Sequence, residues 1–104
     1  MATNYSDYNP PICIPRVNKS ITKNKIIHIF QNQLAIGTIK KIEMIDTNDN
    51  NFKKEYIHFD YWNSSENANT FKELITANNI VKIVYEFPWF WKCSLYKKNI
   101  KHKV

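Results

Sequence analysis

Residues 52–59 run Phe52-Lys53-Lys54-Glu55-Tyr56-Ile57-His58-Phe59. From Lys54 the stretch alternates, with Tyr56 and His58 on one face and Ile57 and Phe59 on the other. That period of two predicts a strand with one face toward a core. Just upstream, Asp46 to Asn51 is a run of turn formers. Before it, Thr38 to Ile45 predicts a partner strand, entered at the sole glycine, Gly37. Further upstream, Thr22 suits a helix N-cap. Ile26, Ile29 and Phe30 follow at helical spacing, with Ile27 widening the stripe, to about Gln33. Ile12-Cys13-Ile14 predicts a short strand stopped by Pro15. Downstream, Asn63 and Glu66 have capping-box spacing. Ala68, Phe71, Leu74 and Ile75 then form the apolar stripe of a second helix, which ends at Asn78-Asn79. Trp62 is expected to pack against that helix. Ile80 to Tyr85 is a β-branched strand, and Pro88 is expected to stop it.

The order β-α-β-β-α-β predicts an α+β, ferredoxin-like sandwich: a four-stranded antiparallel sheet with two helices on one face. Residues 1–10 are expected to be an N-terminal arm, residues 11–87 the domain, and residues 88–104 an aromatic then basic tail. No helix is left to cover the second face of the sheet, so function is sought there.

At 104 residues, with 43% apolar content, the chain fits one small domain with a core of its own. A single glycine excludes glycine-rich phosphate loops and dinucleotide fingerprints. Cys13 and Cys93 cannot build a disulfide framework and lack metal-site spacing. No run approaches the roughly 18 apolar residues of a membrane span. The polar N-terminus does not resemble a signal peptide. The expected location is therefore cytoplasmic. Net charge is +6, with its excess at the two ends. Tyr8 to Ile42 holds no acid and neither does the chain after Glu86, whereas the middle is net negative. Such polarity favours a polyanionic partner, nucleic acid first and an anionic membrane surface second. Asn, Ile and Lys dominate and have AT-rich codons, which accounts for part of the lysine excess.

Two stretches resemble the signature motifs of the RNA recognition motif (RRM) family: Ile12-Cys13-Ile14-Pro15-Arg16-Val17 its hexamer, and Phe52 to Phe59 its octamer. The resemblance covers about residues 11 to 86. More narrowly, Ile14-Pro15-Arg16-Val17, His58-Phe59 with Trp62, and Ile83-Val84-Tyr85 ahead of Pro88-Trp89-Phe90-Trp91-Lys92 resemble small RRM-like proteins of giant DNA viruses. For a viral protein the expected location is the host cytoplasm. The resemblance implies binding of single-stranded RNA by stacking bases on exposed sheet aromatics. Tyr56 keeps one stacking position. Cys13 and Lys54 stand where the family usually carries aromatics, and Lys53 and Glu55 where it carries small residues.

The expected nucleic-acid-binding residues are Cys13, Arg16, Lys54, Tyr56, His58, Lys82, Trp89, Trp91 and Lys92. Period two puts Lys54, Tyr56 and His58 on the helix-free face beside Cys13, with Lys82 and Val84 on the last strand. Tyr56 is expected to stack a base, and the lysines to meet phosphates. Tyr56 and His58 could equally be ordinary exposed strand residues. Arg16, the sole arginine, could clamp a phosphate, stack on a base, or pair with Glu43 or Glu86. Trp89, Phe90 and Trp91 could stack on nucleic acid, bind a protein, or fold back over the bare sheet. The favoured function is non-catalytic binding of single-stranded RNA. Its alternative is a protein-interaction module of the same fold with its sheet sealed by the tail. No catalytic or metal-binding residue, cofactor or small-molecule substrate is expected. His28, His58 and His102 are scattered, and Cys13 has no histidine partner in the pattern.

Overall fold

A computed structural model describes residues 9–97. The elements are β1 (Ile12–Asn18), a helix that begins as α1 (Lys23–Ile27) and widens into a π-helical segment (His28–Gln33), β2 (Gly37–Asp46), β3 (Phe52–Trp62), α2 (Glu66–Thr76), β4 (Val81–Glu86) and β5 (Trp89–Leu95). The strands form one five-stranded sheet in the order β2-β3-β1-β5-β4, and each neighbouring pair is antiparallel.

This architecture overturns the four-stranded sandwich. The element order is β-α-β-β-α-β-β, and the place beside β1 belongs to β5. Pro88 does not end the last strand but sits in the turn of a hairpin, where β4 and β5 pair from Val81↔Cys93 to Glu86↔Trp89. The boundary expected at 87/88 therefore falls inside that hairpin, and Trp89–Leu95 is part of the sheet rather than a tail. The basic run from Lys98, like residues 1–8 of the expected arm, lies outside the described residues. Asn9 and Pro10 do pack on the domain: Trp62 N–H donates to Asn9 Oδ1 (3.1 Å), and Trp62 Nε1–H donates to the Pro10 carbonyl (3.0 Å).

Two local expectations also change. β1 does not stop at Pro15 but runs to Asn18. A bulge between Ile14 and Val17 absorbs the proline and turns both Pro15 and Arg16 to solvent. The second helix is capped by Ser65, whose hydroxyl accepts from Ala68 N–H, not by Asn63. Asn63 instead donates its amide to the Ala35 carbonyl at 2.7 Å. Thr22 does cap α1, accepting from Lys25 N–H at 3.1 Å.

The core lies between the helices and one face of the sheet. Ile12, Ile14, Ile57, Ile83, Trp91 and Cys93 enter it from the strands, and Ile26, Ile29, Phe30, Phe71 and Ile75 from the helices. Phe30 is its hub. It meets Phe59 and Phe71 edge-on and lies parallel to Trp91, with ring centres 6.4 Å apart. Trp62 packs edge-on against Phe71 of α2. Gly37 is needed where β2 crosses close to β3. A Cβ there would stand 2.4 Å from the Tyr61 carbonyl oxygen. α2 ends in a Schellman motif. Asn78 is left-handed (φ 68°), and Asn79 and Asn78 donate to the carbonyls of Leu74 and Ile75.

Candidate nucleic-acid interface

Strand pairing fixes what the helix-free face presents. Tyr56 lies between Glu43 on β2 and Cys13 on β1, and Cys13 in turn faces Ser94 on β5. One step along, His58 is opposite Lys41, and one step the other way, Lys54 is opposite Ile45. On the far side Lys82 faces Lys92, and Val84 faces Phe90. Cys13, Lys54, Tyr56 and His58 thus share one half-buried patch on the two central strands.

Neither Trp89 nor Trp91 covers this face. Trp91 is 2% exposed on the opposite face, with its ring stacked on Tyr85 at 4.2 Å. It is a core residue and is removed from the binding set, because no ligand can reach it. Trp89 shares the parity of Trp91, so it too points to the helix side of the hairpin, and it remains 64% exposed. Lys82 Nζ lies 4.4 Å from the centre of the Phe90 ring, and Lys92 is exposed beside it.

What does meet Tyr56 is Tyr96, just past the end of β5. The two rings are parallel within 3°, with centres 3.9 Å apart, and His58 stands edge-on to Tyr96. Tyr96 is held there by its backbone, whose N–H donates to the Pro11 carbonyl at 3.0 Å. Burial, with Tyr56, Glu43 and Cys13 nearby, pushes the Tyr96 phenol above its ordinary range, so it stays neutral. His58 Nε2 lies 2.6 Å from Glu43 Oε1, which fixes the imidazole at the β2 side of the patch. Burial likewise raises the Cys13 thiol, against the opposing pull of Lys54 and a hydrogen bond with Ser94. The thiol is a neutral filler here rather than a nucleophile. Cys93 is buried on the other face of the sheet, its thiol is raised by desolvation and by nearby Cys13, and the two cysteines form no disulfide.

Arg16 pairs with neither Glu43 nor Glu86. Its guanidinium carbon sits 4.0 Å above the Phe52 ring, a cation–π contact. Phe52 and Tyr56 are on the same face of β3, four residues apart and therefore about 13 Å along the strand. Lys54 stands between them. The face thus carries two aromatic stations with a cation at and between them. Sequence reasoning missed Phe52, Lys41 and Tyr96. Phe52 and Lys41 were legible from parity alone. Tyr96 was not, since its position depends on β5.

Among the described residues no three histidine, cysteine or acidic side chains gather to hold a metal ion. Among them also, no helix is long and apolar enough to cross a membrane. No family model, no curated protein and no solved structure matches the chain.

Proposed function

We propose that the protein binds single-stranded RNA, without catalysis, on the helix-free face of its sheet. The observation that carries this reading is the Tyr56–Tyr96 ring stack on a face that no helix among the described residues covers, with Lys41, Lys54, Lys82 and Lys92 around it. Planar rings accept bases of any sequence, and lysines accept the intervening phosphates. The adjacency of β1 and β3 at the centre of the sheet supports the RRM-like reading of residues 12–17 and 52–59. In this scheme one base stacks on the Tyr56–Tyr96 pair and a second at Phe52, where Arg16 reaches the phosphate or the base edge. Lys54 neutralises the phosphate between them. The alternative, a protein-interaction module whose sheet is covered by the tail, draws no support from the tryptophans, because Trp91 is in the core and Trp89 is on the other side, and of the described tail residues Tyr96 alone stacks on Tyr56. The test is a titration of fluorescent single-stranded RNA against wild type and Lys54→Glu. Saturable binding, lowered at least tenfold by the reversal, is the expected result. No binding at low salt would end the RNA reading.

A further inference from the structure

The turn between β4 and β5 carries the most exposed aromatic cluster among the described residues. Phe87 is 88% exposed, Trp89 64% and Phe90 41%. These rings do not share one face. Phe90 pairs with Val84 and points to the helix-free side, Trp89 pairs with Glu86 and points to the helix side, and Phe87 stands at the apex. A flat partner, whether a base or a protein surface, covers one side of such a tip. A fluid apolar medium covers all sides at once. Cations stand just behind the rings. Lys82 and Lys92 face each other on the hairpin, and Lys25 of α1 lies 3.9 Å from Glu86. Glu86 is the one acid at this tip among the described residues, and Lys25 offsets it. The acids of the β2–β3 turn are at the other edge of the sheet, since β2 and β4 are its outermost strands.

We propose that the β4–β5 hairpin docks the protein on an anionic lipid surface. Phe87, Trp89 and Phe90 enter the interface, where aromatic rings are at home, and Lys82, Lys92 and Lys25 lie against the acidic headgroups. The Tyr56–Tyr96 patch stays outside the bilayer. The inference does not rest on RNA binding, and its test contains no RNA in the vesicle arm.

The experiment mixes the full chain with vesicles of phosphatidylcholine, with and without phosphatidylserine, and measures co-sedimentation and tryptophan emission. Trp62 and Trp91 are buried, so Trp89 reports the change. The expected result is binding to the phosphatidylserine vesicles, a blue shift, and quenching by bromine-labelled acyl chains. Phe87→Ser and Trp89→Ser are each expected to weaken binding about tenfold or more, since each removes a ring that would leave water. Both positions are exposed, and circular dichroism checks the fold. The pair Lys82→Glu and Lys92→Glu gives a second route, with loss of the preference for phosphatidylserine expected. Absence of vesicle binding overturns the proposal, as does binding that both ring variants retain in full. It is also overturned if Phe87→Ser leaves vesicle binding intact but splits a dimer, or removes only affinity for an oligouridine probe. The patch would then belong to a second copy or to nucleic acid.

Discussion

Tyr56 and Tyr96 act as one unit, because their rings are parallel and in contact. Either ring alone is a weaker support for a base than the stack. Tyr56→Ala and Tyr96→Ala are each expected to weaken RNA binding by roughly 1–3 kcal/mol. The double variant should lose less than the sum, as neighbours in one contact do. A double-mutant cycle by fluorescence anisotropy checks this, and strict additivity would separate the two rings. A second residue-scale expectation concerns Glu55, which is fully buried on the core side of β3 beside Lys53. Lys53 Nζ lies 3.2 Å from Glu55 Oε2 and donates to the Ile21 carbonyl at 2.7 Å. Desolvation raises the Glu55 carboxyl despite the pull of Lys53 and Lys23. A raised carboxyl binds its proton more tightly when folded than when unfolded. Its stability contribution is therefore greatest at low pH and falls as pH rises through the folded value. Wild type should lose stability relative to Glu55→Gln across that rise. Denaturant melts of both proteins from roughly pH 4 to 8 check the sign, and a gap moving the other way would mean the ion pair outweighs desolvation.

β5 is a structural element and not an appendage, because it separates β4 from β1. Trp91→Ala is expected to cost about 3–5 kcal/mol, the range for a buried large aromatic. Trp89→Ala should stay within about 0.5 kcal/mol, since its ring is mostly in water. Thermal or denaturant unfolding distinguishes them, and equal costs would contradict the parity of the hairpin. Gly37→Ala should destabilise by roughly 1–3 kcal/mol, because its Cβ meets backbone that cannot swing away. The strands β1 to β4 and both helices were legible because their apolar spacing is regular, whereas of the two caps only Thr22 was legible, Ser65 being hidden beside the better-spaced Asn63. β5 was not, although Trp91 and Cys93 alternate with exposed Phe90 and Lys92. Three adjacent aromatics hide that alternation, and Pro88 looks like a stop. A proline in a two-residue turn ends one strand and begins the next, and only pairing tells these cases apart. The Ile14–Val17 bulge was hidden for the same reason, since a proline read as a breaker can also be a residue the ladder steps around.

At the scale of the molecule, charge and topology combine. Acids and bases separate along the sequence, and strand pairing gathers basic residues from distant segments. Lys41 from the basic first half lies opposite His58, and Lys92 from the last third opposite Lys82. The chemistry of the site was partly legible in Lys54, Tyr56 and His58, while its completion by Tyr96 required knowing which strand neighbours β1. Plots of log affinity against log salt should be linear, with a slope of about −0.7 for each phosphate neutralised on single-stranded RNA. Substituting Lys54 should reduce that slope by one such step, and a flat plot would remove phosphate contacts from the scheme. The insertion of β5 also bears on synthesis. Ile12 pairs with Leu95, so the first described strand waits for the last one. Such long-range pairing is slow to form. Until residue 95 clears the ribosome, a nascent chain holds β1 with one bare edge and a core lacking the Trp91 ring. That half-built sheet would present an unpaired edge to its neighbours on a crowded polysome.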